Sequence, residues 1–108
     1  MKFLLVSLMA VSALSAAQGK QSFTGIVTDS MCAKADHSSM RMGPTDAECA
    51  QNCVLAHGAY YVLFDGKDAF TLSDQEAPEN LAGQKVRVVG TLDAKTRTIQ
   101  VESIAAVK

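Results

Sequence analysis

Cys32, Cys49 and Cys53 are the only cysteines of this 108-residue chain, and His37 and His57 are its only histidines. All five lie between positions 32 and 57, and Met31, Met40 and Met42 fall in the same stretch. Residues of these types support three chemistries: a disulfide, a soft-metal site or a thiol nucleophile. Cys49, Cys53 and His57 stand at i, i+4 and i+8, so on a helix they line one face about 6 Å apart. Two cysteines so placed point the same way, which makes a Cys49–Cys53 bridge geometrically poor. Cys32 is the better partner for one of them. Closing a loop of about 17 to 22 residues contributes about 3 kcal/mol in the chain-entropy description, a large share of a small domain's stability.

The leading expectation is therefore a structural disulfide from Cys32 to Cys49 or Cys53, with the third thiol buried and inert. An odd thiol keeps the other chemistries open. Thiolates from Cys32, Cys49 and Cys53 with an imidazole from His57 or His37 would form a Cys3His set, and i, i+4 residues on a helix present two donors to one ion. Met31, Met40 and Met42 would add thioethers as accessory donors, which favour Cu(I), so copper comes before zinc as the metal to consider. The third expectation is a thiol-dependent redox enzyme in which His57 activates Cys53 or Cys49. No C-x-x-C motif, serine elbow or phosphate-cradling glycine loop accompanies it, and no catalytic residue is assigned. Asp29 and Ser30 beside Cys32 read as a strand-ending turn held by their side-chain hydrogen bonds.

The elements that would carry these residues are legible around them. Phe23, Thr24, Ile26, Val27 and Thr28 favour a strand over Ser22 to Met31, with Gly25 marking a bulge or a close backbone approach. A polar loop follows from Ala33 to Pro44. Thr45-Asp46-Ala47-Glu48 fits a capping box for a helix from Asp46 to His57, and Gly58 stops it. Ala59 to Phe64 and Ala69 to Leu72 flank the Asp65-Gly66 turn pair as one hairpin. Glu76 to Gly83 reads as a short helical turn, and Lys85 to Leu92 with Thr98 to Ile104 as a second hairpin with alternating apolar residues. This order predicts a mainly β fold, an OB-like five-stranded Greek-key barrel with one inserted α-helix over residues 45–57; an α+β arrangement is the alternative.

Residues 1–17 have the three-part layout of a secretory signal: Lys2, an apolar run from Phe3 to Leu14 and small residues Ser15 and Ala17 before an expected cut. The run is too short to cross a bilayer as a helix, so no membrane span is expected after cleavage, and residues 18–108 form one exported domain, periplasmic or extracellular. Loss of Lys2 takes the net charge from −1 to −2. A slightly acidic surface does not attract nucleic acid, so Tyr60, Tyr61, Phe64 and Phe70 are expected in the core rather than on a base-stacking platform. The expected role is a small binding or structural module whose ligand or partner the residues do not name.

Gly25-Ile26-Val27-Thr28-Asp29-Ser30-Met31-Cys32, followed by His37, Cys49-Ala50-Gln51-Asn52-Cys53 and Gly58, resembles a group of small exported bacterial domains of unknown function. They share G-x-[IV]-x-D-S-x-C, a nearby histidine and C-x-x-x-C before a glycine and a hairpin. The resemblance implies a family, not an activity. Gly83 to Gly90 and the closing strand to Ile104 are also similar to OB-fold domains of exported bacterial stress proteins.

Overall fold

The computed structural model describes residues 19–108, so the expected signal peptide over 1–17 lies outside the described residues. Five strands carry most of the fold: β1 (Gln21–Asp29), β2 (Tyr61–Phe64), β3 (Ala69–Leu72), β4 (Lys85–Asp93) and β5 (Thr98–Ala106). One α-helix, α1 (Asp46–His57), stands between β1 and β2, and 3-10 turns occupy Ser30–Cys32 and Ala77–Leu81. The fold is mainly β, a mixed five-stranded sheet with one helix, as expected from the alternating strands.

Strand pairing explains how a short chain encloses a core. β1 is shared: Gln21 to Ile26 pair with β4, and Ile26 to Asp29 pair with β2. β2 continues into the β2–β3 hairpin, β4 into the β4–β5 hairpin, and β3 meets β5 through a short parallel ladder at Thr71 and Leu72. The ladders thus close on themselves in the order β1-β2-β3-β5-β4. Gly25 sits where β1 passes from one partner to the other, and a Cβ there would lie 2.3 Å from the carbonyl oxygen of Phe64. The close backbone approach expected at this glycine is therefore present.

Val27, Leu63, Leu72, Val86, Val88 and Ile99 fill the interior with Tyr61, and Ala50 of α1 packs into the same cluster. Each buried aliphatic side chain of this kind contributes roughly 1.5–3 kcal/mol relative to exposure. Phe23 and Phe70 pack against that core, their ring centroids 6.1 Å apart, whereas Tyr60 is exposed.

Helix α1 has the expected bounds. The Thr45 hydroxyl accepts the Glu48 amide at 3.1 Å, satisfying one of the orphan donors of the first turn. Gly58 ends the helix in the left-handed conformation, φ 67°, which costs glycine little. β1 ends at Asp29, at the strand-ending turn expected there. The Asp29 side chain accepts the amides of Met31 and Cys32 and winds Ser30–Cys32 into a 3-10 turn.

Candidate metal centre

The last residue of β1 organises the site. Asp29 Oδ2 takes the Met31 amide at 3.0 Å and the Cys32 amide at 3.1 Å, while Oδ1 is fully buried and has no hydrogen-bond partner among the described residues. The turn reading of Asp29 and Ser30 holds for the backbone. Ser30 donates its amide to the Tyr60 carbonyl at 2.8 Å and its hydroxyl accepts the Tyr60 amide, which stitches the turn to the entry of β2. Thr28 donates its hydroxyl to the Cys32 carbonyl at 2.8 Å, so the turn that turns Cys32 inward is held from both ends.

His37 arrives from the loop that follows. Its side chain is buried, its Nδ1 lacks a hydrogen-bond partner, and that nitrogen lies 3.9 Å from Asp29 Oδ1. Cys32 completes the group: one donor atom from each of Asp29, Cys32 and His37 falls within 4.8 Å of the others, and all three residues are buried. Donors of a tetrahedral ion at 2.0–2.3 Å stand about 3.3–3.8 Å apart, so a closure of about 1.5 Å or less would bring these atoms onto one cation.

Helix α1 presents Cys49, Ala50 and Cys53 as its buried face. The two cysteines have different surroundings. Cys49 Sγ accepts the Met42 amide at 3.2 Å and donates to the Met40 carbonyl at 3.4 Å, fastening the loop to the helix. Asn52 adds a side-chain hydrogen bond to the Met42 carbonyl, and Arg41 pairs with Asp46 at 2.6 Å. Cys53 lies deeper. Burial, then the Asp29 charge, then Cys49 and Cys32 push its thiol up to about 11, and burial followed by Asp29 raises Cys32 as well. Both are thiols at neutral pH.

The three cysteines are free thiols, and the expected disulfide from Cys32 to Cys49 or Cys53 is not formed. The Asp29-capped turn directs Cys32 toward His37 instead of across to the helix. Of the expected metal donors, the structure groups Cys32 with His37, leaves Cys49 and Cys53 outside that group on the buried face of α1, and leaves His57 exposed in the last turn of α1. Met31 and Met40 are 45% and 40% exposed, and Met40 and Met42 approach Cys49 through backbone atoms. Asp29 is the donor that the sequence pattern did not reveal as one. Its only local signal, an acidic residue three before a cysteine at a strand end, is equally that of a cap.

Farther around the sheet, a cleft of about 470 Å³ is lined by Thr24, Ile26, Phe64, Asp65 and Lys85. None of the grouped donors lines it. Among the described residues no helix is long and apolar enough to cross a membrane. No protein-family model matches the chain, and no curated protein and no solved structure matches it.

Proposed function

We propose that the mature chain is an exported OB-like module that holds one divalent ion of the zinc class through Asp29, Cys32 and His37. The observation that carries this reading is the pair of buried, unpartnered atoms, Asp29 Oδ1 and His37 Nδ1, converging with Cys32. A buried carboxylate oxygen without a hydrogen bond is costly, and a cation coordinated at that point offsets the cost. The ring of ladders supports the OB-like part, and the layout of residues 1–17 supports export.

The donor chemistry favours zinc over copper. Oxygen, nitrogen and thiolate together suit Zn2+, whereas Cu(I) selects thioether and thiolate, and the group contains a carboxylate and an imidazole beside its one thiol. Cys32, His37 and Asp29 are also the residue types of a thiol hydrolase, but a nucleophile needs a lowered thiol pKa and access to substrate. Cys32 is buried and its thiol is raised, the opposite of both.

The test is metal content of the mature protein purified under reducing conditions. One zinc per chain is expected by native mass spectrometry and elemental analysis. Asp29→Asn and His37→Ala should lose it and His57→Ala should keep it. A wild-type protein that retains no ion, or a His37→Ala variant that retains it fully, overturns the reading.

A further inference from the structure

We infer that Cys49 is a positioning residue for the site: its protonated sulfur fastens the loop that carries His37 to helix α1 and so holds the imidazole beside Asp29 and Cys32. This rests on the metal reading of Asp29, Cys32 and His37 and specifies what sets the third donor in place. Asp29 and Cys32 share a capped turn at the end of β1, which fixes both by short-range hydrogen bonds. His37 lies farther along, in the loop that runs on to α1 at Asp46. Its Nδ1 has no hydrogen-bond partner among the described residues, so no bond at that nitrogen orients the ring, and the hold on its backbone matters more.

A continuous chain of hydrogen bonds supplies that hold. The His37 carbonyl accepts the Met40 amide at 3.3 Å, and the Met40 carbonyl accepts the Cys49 thiol at 3.4 Å. The same sulfur accepts the Met42 amide at 3.2 Å, and the Met42 carbonyl accepts the side-chain amide of Asn52. Cys49 thus both donates to the loop and accepts from it, and it is fully buried. Gly43 lets the loop lie directly on the first turn of the helix. A Cβ there would stand 2.9 Å from the Glu48 Cβ and 3.1 Å from the Cys49 amide nitrogen.

The sulfur does this only as a thiol. A thiolate has no proton to give the Met40 carbonyl, and a sulfur bound to a metal or in a disulfide has lost that proton as well. Cys49 in this role is neither a ligand nor a redox centre. Groups that orient a metal ligand from outside the coordination sphere typically change affinity about 10–100-fold when removed.

Three variants of the mature protein test the role. Cys49→Ala removes both sulfur bonds, Cys49→Ser keeps a donor and an acceptor at the position, and Gln51→Ala removes a hydrogen bond of α1 that goes to the Glu79 carbonyl instead of the loop. Zinc affinity, measured by competition with a chromogenic chelator, should fall at least about tenfold in Cys49→Ala. It should recover most of that loss in Cys49→Ser and keep the wild-type value in Gln51→Ala. At saturating cobalt(II), Cys49→Ala should retain the wild-type thiolate-to-cobalt charge-transfer intensity per bound ion, because Cys49 gives the ion no sulfur. In metal-free Cys49→Ala, amide hydrogen exchange should rise over residues 37–42 and stay unchanged in β4 and β5, which separates a released loop from a loosened fold. Wild-type affinity in Cys49→Ala overturns the positioning role. Lost charge-transfer intensity per ion overturns it by making Cys49 a ligand, and exchange raised across all elements overturns it by giving the sulfur to the fold at large. A wild-type protein that binds neither ion removes the metal reading itself, and raised exchange confined to 37–42 would leave the fastening of the loop standing without it.

Discussion

Asp29 serves the backbone with one carboxylate oxygen and offers the other to the site, and these two roles can be separated by substitution. Asn keeps an amide oxygen able to cap the Ser30–Cys32 turn, whereas Ala removes the cap and the donor together. In metal-free protein, Asp29→Ala should cost about 1 kcal/mol more than Asp29→Asn in urea unfolding, because a lost cap is of that order. Both variants should fail to bind zinc. Tyr61 makes a second residue-scale case. Its hydroxyl is buried without a partner, and burial first, then Glu79 and Asp29, push its pKa from the ordinary 10.0 up to about 12. The fold therefore favours the neutral phenol, and its contribution is complete below pH 10 and is lost as pH rises through 12. Tyr61→Phe should unfold less readily over that alkaline window, and at neutral pH it should change stability by no more than about 1 kcal/mol, since the hydroxyl it removes satisfies nothing.

At the scale of elements, α1 is held to the sheet by few apolar side chains. Ala50 enters the core and Ala47 and Val54 pack against it, while Leu55 is exposed. Chelation of the zinc-loaded protein should raise amide hydrogen exchange at the end of β1 and in the loop 33–45, which carry the grouped donors, far more than in β4 and β5, as mass spectrometry would resolve by segment. Uniform loosening of all elements would instead place the ion's influence on the whole fold. The entry of β2 opposite the site has a separate support that the amino-acid pattern did not announce. Gln75 accepts the Tyr61 amide at 2.7 Å and donates to the carbonyls of Tyr61 and Leu72, bridging the start of β2 and the end of β3 with one side chain.

For the whole molecule, the closed ring of ladders depends on one strand serving two partners. Ile26 faces Phe64 on β2 and Lys85 on β4, and Gly25 lets the Phe64 carbonyl pass close beside it. Gly25→Ala places a methyl carbon 2.3 Å from that oxygen, and the obstacle is backbone, so the strands must separate. The expected loss is about 2 kcal/mol or more by chemical denaturation, in the range reserved for backbone clashes and core disruption. Zinc at about a hundred times its dissociation constant should raise stability by about 2.7 kcal/mol, with Tm returning to the metal-free value on chelation. Protons compete with the ion for the raised Cys32 thiol, so this stabilisation should shrink as pH falls.

Local chemistry settled much of this protein before tertiary contacts entered. Thr45, Glu48 and Gly58 bound α1 at the expected residues because caps act within one turn. Alternating apolar side chains placed β4 and β5, and the Asp65-Gly66 pair placed the β2–β3 turn, since strand faces and turn dihedrals are properties of neighbouring residues. Which histidine meets the cysteines was not decided locally. His57 shares a helical face pattern with Cys49 and Cys53, yet it is exposed, while His37, in a polar loop without period, is buried against Asp29. The choice depends on how the loop folds back between β1 and α1, through Cys49 sulfur and the carbonyls of Met40 and Met42, contacts seven to ten residues apart. Helical periodicity carries no information about such contacts, so the donor types were readable in the chain and their grouping was a property of the folded molecule.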